Sequence, residues 1–180
     1  QAGASLGDLS ALLYAEGGPS PQVEPIPAHR GAEQFEALRA AAERYALRTG
    51  GRPAVFLAMI GPLAQLKARA DFVTSFCAAG GFEVIVSPSL AGPEEAVRAA
   101  REAGAGTVVL CAADERYPEL VPVLARLFQA VHPDTTLALA GDPGEHADAY
   151  RTAGVEAFIH LRADCHATLA ELQRLKGVAA

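Results

Sequence analysis

Apolar residues along this chain alternate between two rhythms. Val55 to Met59 is a short, closed apolar run set between Pro53 and Gly61-Pro62. A run of that kind fits a strand covered on both faces, as at the centre of a parallel sheet. From Leu63 the period lengthens. Leu63, Leu66, Ala70, Val73 and Phe76 or Cys77 recur at helical spacing, and Lys67, Arg69 and Asp71 are expected to face elsewhere. The same alternation then repeats. Gly80-Gly81 turns into a strand over 82–86, and Pro93 opens a helix to about Ala103, with Glu94 and Glu95 at its positive end. Thr107–Cys111 is another apolar strand, followed by a helix carrying Leu120, Val121, Leu124, Leu127, Phe128 and Val131. A strand over 135–140, a short helix over 145–152, a strand over 155–161 and a last helix with Leu169, Leu172 and Leu175 complete the pattern, with Asp164 placed to cap that helix.

Ahead of these units, residues 32–48 form an amphipathic helix with Phe35, Leu38, Ala42, Tyr45 and Ala46 on one face, stopped at Gly50-Gly51. Residues 1–31 read as an extended linker or interaction segment. Gly17-Gly18-Pro19-Ser20-Pro21 and Pro25-Ile26-Pro27 oppose helix and central strand alike. Its apolar residues (Leu6, Leu9, Leu12, Leu13, Tyr14, Val23, Ile26) are more than a solvated tail needs, and lying along another subunit is the alternative. The division expected is therefore linker 1–31, lead helix 32–50 and α/β domain 51–180. Five βα units with apolar strands predict a parallel, flavodoxin-like (Rossmann-like) sheet in the order 2-1-3-4-5, with helices on both faces.

With 180 residues the chain has room for one full-sized domain and an appendage. Its formal charge of −6 opposes nucleic acid and anionic membrane as partners, and no apolar run is long enough to span a bilayer. The three cysteines, Cys77, Cys111 and Cys165, lie far apart without CxxC spacing, which predicts reduced thiols and a cytoplasmic setting. The start shows no signal-peptide pattern and no Met, which suggests a trimmed chain or a piece of a longer one.

Ligands of open α/β sheets sit at the carboxyl ends of the strands. There, Ile60-Gly61-Pro62-Leu63-Ala64 has neither a GxGxxG nor a GxxxxGK[ST] loop, so no dinucleotide or P-loop chemistry is indicated. Strand one ends in Met59-Ile60 and strand three in Cys111-Ala112, which leaves no carboxylates to hold a magnesium ion. His29, His132, His146, His160 and His166 are scattered and form no metal-binding spacing. Cys111 is the one candidate nucleophile by position. It would need a base brought by folding, His160 or His166. Asp114-Glu115-Arg116-Tyr117 on the same rim reads as a solvated helix start or a partner contact.

Several segments in order resemble the carboxyl-terminal domain of the small (beta) subunit of heterodimeric methylmalonyl-CoA mutase. They are Gly51-Arg52-Pro53-Ala54-Val55-Phe56-Leu57-Ala58, Gly61-Pro62-Leu63, Ala68-Arg69-Ala70-Asp71-Phe72, Ala79-Gly80-Gly81-Phe82-Glu83, Leu110 to Tyr117 and Ala153 to His160. Pro25-Ile26-Pro27 and Phe35-Glu36-Ala37-Leu38-Arg39 look like that family's joining segment. The resemblance implies a sibling of the cobalamin-binding domain. That domain carries DxHxxG after strand one, SxL after strand three and paired glycines after strand four. On this chain the first set falls on Leu63, Gln65 and Ala68, the second on Cys111, Ala112 and Ala113, and the third on Gly141 and Asp142. One position survives. Gln65 is a poor cobalt ligand and Leu63 cannot orient one.

The resemblance therefore implies a degenerate, non-catalytic domain with no cofactor or metal of its own. The large subunit would be its partner, holding adenosylcobalamin and isomerising methylmalonyl-CoA and succinyl-CoA within propionate metabolism. Two alternatives stay open: a cobalamin-binding module working base-off without a His ligand, and a small α/β enzyme using Cys111.

Overall fold

The computed structural model describes residues 3–14, 24–27 and 29–178. It divides into two units, Gln1–Arg30 and Gly31–Ala180. In the first, Leu6–Tyr14 forms a nine-residue helix, α1, with no buried residue. Its start is a reciprocal cap. The Asp8 amide donates to Ser5 Oγ (3.2 Å), and the Asp8 carboxylate accepts from the Ser5 amide (2.9 Å) and hydroxyl (2.7 Å). So this part of the expected extended linker is helical. The glycine- and proline-rich run at 17–21 lies outside the described residues.

The second unit contains, in order, α2 (Glu33–Thr49), β1 (Ala54–Met59), α3 (Leu63–Ala79), β2 (Glu83–Val86), α4 (Pro93–Ala103), β3 (Thr107–Cys111), α5 (Tyr117–Val131), β4 (Thr136–Ala140), α6 (Ala147–Ala153), β5 (Val155–Ile159) and α7 (Cys165–Leu175). The strands make one sheet in the order β2-β1-β3-β4-β5, and every pair is parallel. Both faces are covered because alternate strand residues feed different cores. Phe56, Ala58, Val108, Leu110 and Leu139 pack with α4, α5 and α6, while Val55, Leu57, Met59, Val109 and Cys111 pack with α3 and α7. Asp164 caps α7 by accepting from the Ala167 amide, as its position predicts. No helix of the described residues is long and apolar enough to cross a membrane.

The lead helix is built into this unit. Gln173 of α7 is fully buried, and its amide nitrogen donates to the Leu38 carbonyl of α2 and to the Gly80 carbonyl after α3, both at 2.8 Å. Gly81 lies so close to α2 that a Cβ there would stand 2.7 Å from the Ala42 Cβ. Gly50, in the left-handed conformation, stops α2 and donates to the Ala46 carbonyl.

Candidate functional site at the carboxyl ends of the strands

The turn from β1 into α3 sets the floor. Gly61 takes φ +135°, a conformation that favours glycine, and Pro62 then leads into α3 without any side-chain cap. The first turn of the helix is exposed, with Leu63 55% accessible and Gln65 also exposed; the inward stripe begins at Leu66. Ala68 lines an open cleft of about 660 Å³ beside the strand ends. The three positions of the first set are thus on the surface of one helix, with Ala68 alone facing a cavity.

Arg69 does not face away, as its charge led one to expect. It lies three residues after Leu66 and four before Val73, on the stripe that faces the sheet. Its guanidinium reaches across the ends of β3 and β4. The two hydrogens of Nη1 are shared among four acceptors: the Ala112 carbonyl (2.7 Å), Asp114 Oδ1 (2.7 Å), the Tyr117 hydroxyl (2.9 Å) and the Ala140 carbonyl (3.1 Å). The Tyr117 hydroxyl accepts from the Ala112 amide at 3.2 Å as well and donates to the Ala140 carbonyl. The Arg69 guanidinium also lies 5.7 Å from the Tyr117 ring centroid. Burial weighs against the Arg69 charge, but Asp114 and Tyr117 outweigh it and raise the proton affinity above the usual guanidinium value. Burial likewise pushes the Tyr117 hydroxyl up to about 12.

The knot leaves no space at Gly141. A Cβ there would stand 3.2 Å from the Tyr117 ring, 3.3 Å from Asp114 Oδ1 and 3.4 Å from Arg69 Nη1. Asp142 next to it is tied down, accepting from the Gly144 amide and paired with Arg162, which holds its carboxyl below the usual carboxylate range. Cys111 points into the core against α3 and α7 and not into the crevice. Burial pushes its thiol up to about 11, against the lowering effect of Arg69, so little thiolate forms near neutrality. Ala113 is half-buried and only introduces the short 3-10 turn Asp114–Arg116. His160 lines the cleft, whereas His166 packs edge-on against Phe35 of α2 at 5.6 Å. No hydrogen bond joins either to Cys111 among the described residues. Nor do the described residues contain a group of three or more His, Cys, Asp or Glu able to hold a metal. Among the described residues of this site, no nucleophile is hydrogen-bonded to a base.

Among the rim residues, Arg69, Tyr117 and Arg162 are the ones that sequence reasoning did not single out for this role. The signal was present for Arg69: a lone cation inside an apolar stripe of helical period.

An open five-stranded α/β sheet of this order, with its cleft at the carboxyl edge, defines a flavodoxin-like domain of the kind found in cobalamin-binding and CheY-like proteins. Solved structures share that fold. One is a cobalamin-binding protein from Desulfitobacterium hafniense DCB-2 (18% identity, 78% of this chain and 67% of that chain, TM-score 0.53). Another is a CheY-like protein from Pseudomonas aeruginosa PAO1 (21% identity, 69% and 94%, TM-score 0.51). No family model matches the chain. Within that class, the chain is a homologue of methylmalonyl-CoA mutase small subunits. It is 35% identical over 147 residues to the one from Porphyromonas gingivalis, covering 82% of this chain and 22% of that protein. To the one from Streptomyces virginiae it is 32% identical over 163 residues, covering 89% and 25%. The chain thus spans about a quarter of the length of these relatives.

Proposed function

We propose that the chain is a non-catalytic, cobalamin-free structural domain of the small subunit of a heterodimeric methylmalonyl-CoA mutase. Its partner is the large subunit, which holds adenosylcobalamin and interconverts methylmalonyl-CoA and succinyl-CoA in the cytoplasm. The observation that carries this reading is the Arg69 knot across the ends of β3 and β4.

Cobalamin fits these residues poorly at two places. Below the corrin, a metal-seeking imidazole with an orienting carboxylate is needed, and the chain offers the exposed amide of Gln65 and the alkyl side chain of Leu63. Where the tail would pass, Gly141 keeps its glycine, but a Cβ there would already stand within 3.4 Å of Tyr117, Asp114 and Arg69, so the backbone is crowded on that side. Asp142, in place of the second glycine, is clasped by Arg162. A base-off mode escapes the first objection and still meets the second. What the domain keeps is a rigid frame with its own lead helix, suited to supporting a partner. Co-purification of the chain with the large subunit at moderate salt tests the reading: a stable one-to-one complex supports it, and elution of the two proteins apart contradicts it.

A further inference from the structure

The cleft beside the knot has a donor surplus. Arg69 engages its acceptors through Nη1 alone, and its Nε and Nη2 make no hydrogen bond or ion pair among the described residues. Yet Arg69 lines the cleft, with 27% of its side chain accessible. The acceptors nearby are largely used. Ala112 and Ala140 carbonyls are taken by Arg69, Asp114 Oδ1 likewise, and Asp142 by Gly144 and Arg162. His160, which also lines the cleft, makes no side-chain hydrogen bond among the described residues and interacts with Asp142 through charge alone. Between these polar groups the walls are apolar: Phe72 of α3, Ile159 at the end of β5, and Leu161, which is 88% exposed. Arg69 and Arg162 balance Asp114 and Asp142 in charge, so one added anion is not repelled, and unused donors are left to meet it.

We propose that this cleft is a binding site for a small organic carboxylate with an apolar body, anchored on the free edge of Arg69. The Nε–Nη2 edge of a guanidinium matches a planar carboxylate in two parallel hydrogen bonds. The knot supplies what such an anchor needs, because Nη1 is fixed by four acceptors and the free edge is thereby oriented before a ligand arrives. The ligand's apolar body lies between Phe72 and Ile159, and Leu161 closes over it from the rim. A cavity of about 660 Å³ is in the range of small-molecule pockets and well above the size of one aromatic ring. Every group the site uses belongs to this chain, and nothing in it requires a corrin.

The test is titration of the full chain with benzoate, followed by NMR shifts, beside the neutral benzyl alcohol and the cationic benzylamine. Benzoate is expected to saturate and to bind at least tenfold more tightly than either analogue. Arg69→Lys keeps the charge and loses the fork, and should weaken benzoate at least fivefold while leaving benzyl alcohol unchanged. Because Arg69 also ties β3 to β4, a second variant avoids the knot altogether: Ala68→Phe fills the cleft from an exposed helix position and should abolish saturation in a folded chain. Three results would overturn the proposal: no saturable benzoate binding, equal affinity for the three compounds, or undiminished binding in Ala68→Phe.

Discussion

Two polar side chains reach through this domain in the same way and end in different surroundings. Gln173 donates to carbonyls of α2 and of the turn after α3; Arg69 donates to carbonyls at the ends of β3 and β4. Gln173 is neutral and sealed from solvent. Arg69 is charged and opens on a cleft. The first joins the lead helix to the sheet's helical layer, and every contact it makes is internal. The second closes the place where ligands of such sheets are held, and it keeps donors to spare. Gln173 leaves its Oε1 without a partner in a sealed interior, whereas Arg69 leaves donors unused beside a cleft that a ligand can reach.

Replacing each anchor should separate these roles. Gln173→Ala removes two buried hydrogen bonds and leaves a cavity among α2, α3 and α7, and should cost about 3 kcal/mol in urea unfolding. Arg69→Ala loses charge-assisted bonds from a partly exposed group, so solvent screening reduces the loss to about 2 kcal/mol by the same measurement. A larger loss at Arg69 than at Gln173 would break the comparison. Gly141→Ala forces a methyl against Tyr117, Asp114 and Arg69, and should cost about 1–2 kcal/mol with a matching drop in Tm.

High pH reaches the Arg69 knot and leaves Gln173 untouched. The Tyr117 hydroxyl titrates at about 12 in the folded chain, above its ordinary value of 10.0, because burial favours the neutral form. A group whose affinity for its proton rises on folding stabilises below its unfolded pKa. Its contribution is therefore full below about pH 10 and is lost as pH rises toward 12. Urea unfolding against pH should show a steeper alkaline fall for the native chain than for Tyr117→Phe; equal slopes would contradict this. The smallest effect belongs to the first turn of α3. Leu63→Asp with Gln65→His replaces exposed side chains and should change stability by no more than about 0.5 kcal/mol.

The fold was legible because β1, β3 and β4 are closed apolar runs, β2 and β5 are short strands that follow glycine turns, and the helices between them carry 3.6-residue stripes. Strand order, the Gly50 stop and the Asp164 cap all follow from such local signals. The helix α1 does carry a local signal, the Ser5–Asp8 box, but it adjoins a stretch whose Pro and Gly at 17–27 oppose helix. The site was harder. Arg69 is expected from the sequence to face away from the apolar stripe, because its acceptors come from Ala112, Asp114, Tyr117 and Ala140, more than forty positions further along the chain. The cleft has the same origin. Phe72, Ile159 and Leu161 meet only when α3 packs beside the end of β5. The expected mismatch at Leu63, Gln65 and Ala68 can be read one position at a time, whereas the side chain that ties the ends of β3 and β4 required the fold.

The direct measurement is the visible spectrum of the purified chain mixed with adenosylcobalamin, followed by gel filtration. An unchanged spectrum with the corrin eluting apart from the protein is expected. A base-off shift with one corrin retained per chain would contradict the proposed cobalamin-free domain, in which Arg69 and Tyr117 crowd Gly141.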